Sequence, residues 1–174
     1  MSYAIEVTSL RKSFGDHEVV KGIDLHVKKG ELFALLGPNG AGKTTTIHML
    51  STLLAPDGGT VLIAGYDIVK NAQAVRKKIS LTGQFAALDE GLTGLQNLIL
   101  IGRLFDYSAR EARTKASELL DTFGLSDAMD RMVENYSGGM RRRLDIAASV
   151  LTQPELIFLD EPTTGLDPQS RQQV

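Results

Sequence analysis

LFALLGPNGAGKTTT, residues 32–46, is the stretch whose reading decides the fold. Five apolar residues, Leu32 to Leu36, run without polar interruption into a glycine-rich turn, the pattern of a buried strand. Gly37, Gly42, Lys43 and Thr44 then fit the spacing of a glycine, four residues and Gly-Lys-Ser/Thr, in a strand, loop and helix context. Pro38, Asn39, Gly40 and Ala41 fill the loop, and Thr45 continues the helix behind it. In such a loop several backbone N–H groups converge on phosphate oxygens, and glycine lets the main chain approach without a Cβ in the way. Lys43 offers a point charge for β- and γ-phosphates, Thr44 a hydroxyl for Mg²⁺, and the helix its N-terminal dipole. The expectation is a nucleoside triphosphate site at the end of a buried strand.

Composition narrows what can surround that site. With 174 residues there is room for one sizeable core, because a domain of about 150 residues buries roughly 68–70% of its unfolded surface. A formal charge of −2 and 43% hydrophobic residues argue against a strongly basic nucleic-acid binder and against a disordered chain. The absence of cysteine excludes disulfides, thiolate chemistry and cysteine zinc sites. No apolar run approaches about 18 residues, and the N-terminus lacks a basic and apolar leader. A soluble protein of a reducing compartment is expected, with any membrane role supplied by a partner.

Upstream of the cradle, Ile5, Val7 and Leu10 alternate with polar residues, and a second alternating run spans Val19 to Val27 after Gly15-Asp16. This reads as a short antiparallel β-meander. Phe14, beside the turn, is either a platform for an adenine ring or an aromatic that closes the hairpin. Downstream, Ile47, Leu50, Leu53 and Leu54 mark a helix that stops at Ala55-Pro56-Asp57-Gly58-Gly59. Thr60 to Ala64 reads as a strand, and Ala72 to Lys78 as a helix with a solvated basic face. His48 reads as a helix-surface residue, since no acidic or histidine cluster accompanies it.

The strand Ile79 to Thr82 leads into Gly83-Gln84. Gln84 is either an ordinary loop residue or an amide reaching a metal or attacking water at a strand's carboxyl end. Thr93 is placed to cap a helix to about Phe105, and Ser108 with Glu111 forms a capping box for another that ends at Gly124. The strand-poor block from Gln84 to Ser137 therefore reads as a helical subdomain interrupting the strand and helix alternation. Ser137 can cap the helix bearing Leu144, Ala147, Ala148 and Leu151, with Gly138 and Gly139 exposing N–H groups beside it. That is a second anion-ready helix start or simply a well-capped helix. Arg141, Arg142 and Arg143 are too short a run to imply nucleic acid. Leu156 to Leu159 is a second apolar strand, ending in Asp160-Glu161. Asp160 suits Mg²⁺, and Glu161 is placed to polarise a water for attack on the γ-phosphate.

In this order the motifs resemble the nucleotide-binding subunit of an ATP-binding cassette (ABC) transporter across essentially the whole chain. Phe14 matches the aromatic loop, Gly37 to Thr44 Walker A, Gln84 the Q-loop and Ser137-Gly138-Gly139 the family signature. Leu156 to Asp160 matches Walker B, followed by Glu161, and Gly165-Leu166-Asp167 matches the D-loop. The resemblance implies an α/β P-loop NTPase fold: an N-terminal antiparallel β-subdomain, a parallel core sheet and an inserted helical subdomain at about residues 85–140. It also implies ATP and Mg²⁺ as cofactors, with Thr44, Gln84 and Asp160 toward the metal and Glu161, Gln84 and Lys43 in catalysis. Phe14, residues 37–45 and Ser137 to Gly139 would hold the nucleotide.

As partners it implies a homodimer or paired nucleotide-binding subunit joined head to tail, so that Ser137 of one copy meets ATP on the other. An integral membrane permease at the inner face of the cell membrane completes the set, and no nucleic acid is expected. The stretch Leu81 to Leu88 and the variant signature SGGMRRRLDIA, with Tyr136 and Met140 at its departures, are similar to the daunorubicin and doxorubicin resistance branch. The alternatives are a soluble ABC ATPase acting on nucleic acid or ribosomes and a non-hydrolysing ATP-binding fragment. The family's switch histidine has no counterpart, since the histidines are His17, His26 and His48, and only six residues follow Pro168. The expectation is a chain cut short at its C-terminal end, with weak turnover alone.

Overall fold

A computed structural model describes residues 3–82 and 88–160. The chain divides into two compact units, Met1–Ser80 and Leu81–Val174.

In the first unit, β1 (Tyr3–Phe14) and β2 (His17–Lys28) form the hairpin that the alternation implies, turning at Gly15 with φ 58°. The alternation is not continuous. Ile5 and Val7 face the core from odd positions and Leu10 from an even one, all three buried. The phase slips at Ser9, whose φ is 50°, where both ladders of β1 change register. Such a bulge lets one strand keep its apolar face inward after an extra residue, and the Asp24 carboxylate accepts the Ser9 N–H at 2.7 Å.

After α1 (Lys43–Leu50), β3 (Gly58–Ile63) returns to the other edge of β1, and β4 (Tyr66–Asp67) pairs with β3. The antiparallel order is β2-β1-β3-β4, a hairpin widened by a later strand rather than a plain meander. Val7, Leu10, Val20, Val61 and Ile63 are nearly or fully excluded from water, the side-chain set of this unit's core. The short α2 (Ala72–Arg76) ends the unit's helices.

Two expectations fail here. Residues 32–36 form no strand: the backbone is irregular, with Leu32 97% and Leu36 88% exposed. An apolar run signals a preference for burial, but a strand needs a neighbour for its N–H and C=O groups. No described strand pairs with this run. The helix after the cradle also ends early. Its buried face is Thr46, Met49 and Leu50, and Thr52 at φ 65° breaks the chain before Leu53, which is 66% exposed.

The strand β5 (Ile79–Thr82) pairs with β6 (Leu156–Leu159) in a two-stranded sheet, each at its expected position. Between them lie the helices of the second unit: α3 (Gly94–Leu104), α4 (Ala109–Thr122) and α5 (Gly138–Val150). The anticipated capping box of Ser108 with Glu111 is complete, and the expected cap Thr93 also forms one, with Gln96. Each N-cap is worth about 1 kcal/mol. Leu95, Leu98, Leu120, Leu125, Val133 and Leu144 pack into one apolar cluster. Tyr136 joins it with its hydroxyl donating to the Ala128 carbonyl at 2.7 Å.

Candidate functional site

The last glycine of the cradle stands where a side chain meets both backbone strain and a neighbouring strand. Gly42 has φ 83°, and a Cβ there would stand 2.9 Å from the Val19 carbonyl oxygen and 3.3 Å from Val20 Cγ2. Both the left-handed backbone and the close approach of β2 exclude a side chain. This packing seats the loop against the same hairpin that ends at Phe14 and His17.

Gly42 is the N-cap of α1 and has no side chain to cap it. The helical ladder starts with the Thr46 N–H donating to the Gly42 carbonyl at 2.8 Å, and the buried Thr46 hydroxyl donates to the same oxygen at 2.8 Å. The positive end of α1 therefore opens onto the loop. Lys43 folds back over it, its ammonium donating to the carbonyls of Gly37 at 2.8 Å and Pro38 at 2.9 Å. The Ala41 N–H donates to the Pro38 carbonyl at 3.2 Å and closes the turn around Asn39 and Gly40, the latter at φ 82°. Thr44 and Thr45 lie in the first turn of α1.

Phe14 ends β1 with half of its surface exposed. The Lys12 ammonium lies over its ring, 5.7 Å from the centroid, and pairs with Asp57 at 2.8 Å. Asp57 was legible only as part of a turn. In the fold its second carboxylate oxygen accepts the Ser13 N–H at 2.8 Å, and its own N–H donates to the Arg11 carbonyl at 3.0 Å. The Lys12 ammonium and the Ser13 N–H hold the Asp57 carboxyl below its ordinary pKa.

In the second unit, the Asp160 N–H donates to the Thr82 carbonyl at 3.0 Å, which aligns the carboxyl ends of β6 and β5, and Asp160 is buried. Glu161, Gln84 and Gly165 to Asp167 lie outside the described residues. Ser137 caps α5, its hydroxyl accepting the Met140 N–H at 3.2 Å, with Gly138 and Gly139 in the first turn. The arginines that follow tie this helix to its surroundings. Arg141 bonds the Glu90 carboxylate and the Glu134 carbonyl, while Arg143 donates to the carbonyls of Phe123 and Gly124 at the end of α4. Their partners lie 7 to 51 residues away, so no local pattern could have announced them.

With this geometry established, known proteins give an independent view. The ABC transporter family matches residues 20–164. Daunorubicin/doxorubicin resistance ATP-binding protein DrrA of Streptomyces peucetius is 58% identical over 171 residues, 98% of this chain and 52% of the relative. Doxorubicin resistance ATP-binding protein DrrA of Mycobacterium tuberculosis is 51% identical over 173 residues, covering 98% and 52%. The chain thus spans about half the length of the curated relatives it matches. Among solved structures, cbiO1 from Clostridium perfringens, part of the ABC transporter complex cbiONQ, superposes with a TM-score of 0.88 at 28% identity, over 98% of this chain and 70% of that one.

Proposed function

The chain belongs to the ABC transporter family, and from that premise we propose that it binds and hydrolyses ATP to drive export through a separate membrane-spanning subunit. The observation that carries this reading is the seat of Lys43, an ammonium held by the carbonyls of Gly37 and Pro38 at the uncapped start of α1. A triphosphate is a stronger acceptor than two neutral carbonyls, because hydrogen bonds to a charged partner are roughly twice as strong. Lys43 moves from its own loop to the β- and γ-phosphates, and the α1 terminus adds its N–H groups and dipole.

Mg²⁺, when bound, neutralises charge on the phosphates. Thr44 brings a hydroxyl and Asp160 a carboxylate, with Gln84 as a third oxygen donor. Among the described residues no group of three His, Cys, Asp or Glu could enclose an ion. A hydroxyl, a carboxylate and an amide oxygen would suit a hard cation such as Mg²⁺. Glu161 orients the attacking water, and Phe14 stacks on the adenine. Ser137, Gly138 and Gly139 of a second copy, or of a paired nucleotide-binding subunit, close over the γ-phosphate, so the bound nucleotide stabilises the closed pair by mass action.

No helix among the described residues is long and apolar enough to cross a membrane. Membership of the ABC transporter family supports a separate permease as the spanning part, with this chain peripheral on its cytoplasmic side. The names of the relatives, which include linearmycin resistance ATP-binding protein LnrL of Bacillus subtilis at 42% identity, favour a drug or antibiotic as cargo.

The test is phosphate release from Mg-ATP by the chain together with its membrane subunit. Lys43→Ala should lower it about 100-fold or more, and Glu161→Gln should instead trap ATP in a dimer that sediments at twice the monomer mass. Equal phosphate release from the parent and Lys43→Ala contradicts the reading.

A further inference from the structure

Nothing in the motifs themselves accounts for Lys12 and Asp57. Asp57 lies on the segment that leaves α1 and enters β3, and it touches three consecutive residues of β1 immediately before Phe14. Its N–H bonds the Arg11 carbonyl at 3.0 Å, one carboxylate oxygen takes the Lys12 ammonium at 2.8 Å, and the other takes the Ser13 N–H at 2.8 Å. On its other side β1 is held by β2, through the pairing of Phe14 with His17. The end of the hairpin is thus fixed from both edges.

The charge placement matters as much as the backbone. The Lys12 side chain is only 12% exposed although its partner Asp57 is 46% exposed. Its ammonium is directed over the Phe14 ring at 5.7 Å from the centroid, a cation–π distance. A free lysine would sample many rotamers there, and the Asp57 carboxylate selects one. Phe14 therefore carries a fixed cation over its ring while about half of its surface remains open to solvent. A planar ring that is backed and immobile loses little freedom when a base stacks on it, which is how preorganisation raises affinity.

We propose that Lys12 and Asp57 are positioning residues for the nucleobase: together they hold Phe14 in the orientation that stacks on the base, and they contribute nothing to the phosphates. This rests on the reading of Phe14 and the cradle as one nucleotide site. The clamp also spans them in sequence, since α1 carries the phosphate contacts at its start and the segment after it ends in Asp57.

Two probes separate the halves of the site: Mg-ATP, which has a base, and magnesium tripolyphosphate, which has none. Titration calorimetry of the full chain with each is compared for the parent, Phe14→Ala, Asp57→Asn, Lys12→Met and Lys12→Arg. Phe14→Ala should weaken ATP about 10-fold. Asp57→Asn and Lys12→Met should weaken it about 3-fold, the size of one exposed cation–π contact. Lys12→Arg, which keeps the cation, should recover the parent value, and tripolyphosphate affinity should be unchanged in every variant.

If Asp57→Asn and Lys12→Met bind ATP like the parent while Phe14→Ala does not, the clamp is overturned and the site stands. Equal losses for ATP and tripolyphosphate also overturn it, because the pair would then be supporting the loop as a whole. A parent chain that binds neither probe removes the nucleotide reading itself, and the clamp with it. The lysine pair keeps the test sharp should Asp57→Asn fold poorly.

Discussion

α1 and α5 both begin among glycines, and they begin in opposite ways. Ahead of α1 stands Gly42, left-handed at φ 83°, with no side chain to accept a bond. Ahead of α5 stands Ser137, extended at φ −67° and ψ 162°, its hydroxyl already accepting the Met140 N–H. The first helix start has no side-chain cap, whereas at the second one N–H is satisfied by the cap's own hydroxyl. The glycines differ too. A Cβ at Gly42 runs into β2, but one at Gly138 meets nothing within 4 Å. A sequence search for glycine beside a helix start treats the two alike. Their surroundings make the first a built cradle and the second a capped helix whose proposed ligand arrives with another subunit.

The largest expected effect breaks that contrast at its strong side. Gly42→Ala places a methyl group 2.9 Å from the Val19 carbonyl in a left-handed backbone, and strain plus overpacking should cost the first unit about 3 kcal/mol. Gly138→Ala should stay within about 0.5 kcal/mol of the parent. Urea unfolding of both variants checks the difference. Comparable losses would mean that the two glycines are equivalent after all.

Next in size is the support beneath α5. A Cβ on Gly94 would lie 2.3 Å from the Tyr136 hydroxyl, so Gly94→Ala should lose about 2 kcal/mol. Adding Tyr136→Phe should return part of that loss, a non-additivity that a double-mutant cycle reads directly. Ser137→Ala should cost about 1 kcal/mol of stability while leaving the ATP affinity of a single chain unchanged, since the cap serves its own helix. A matched loss of ATP affinity would place Ser137 in the same site as Lys43.

The smallest effect is a slope in pH. Burial pushes the Tyr136 phenol above its ordinary value of 10.0, so the folded chain keeps a proton that the unfolded chain releases. Stability is unaffected below that value and falls as pH rises above it. Tyr136→Phe should remove this alkaline slope while costing about 1 kcal/mol at neutral pH for the bond lost to Ala128. Stability curves at pH 7 and above 10 compare the two.

Legibility in the sequence followed the range of each interaction. The caps at Thr93 and Ser137 and the capping box at Ser108 are settled within four residues, and all three stand as read, Thr93 gaining Gln96 as a reciprocal partner. The glycine-rich turn ahead of α1 was legible for the same reason. Leu32 to Leu36 and Leu156 to Leu159 are equally apolar, yet only the second is a strand, paired with β5. A strand's partner is chosen by topology, which an apolar run does not encode. The bulge at Ser9, the Asp57 clip and most of the arginine ties of α5 likewise depend on residues distant in sequence.

The central proposal is that a triphosphate takes Lys43 from the Gly37 and Pro38 carbonyls at the start of α1, which has no side-chain cap. Titration calorimetry of the chain with Mg-ATP, for the parent and Lys43→Ala, tests it most directly. The account predicts measurable heat of association for the parent and about a 10-fold or greater loss of affinity for the variant. No heat from the parent, or the same affinity in both, would contradict it.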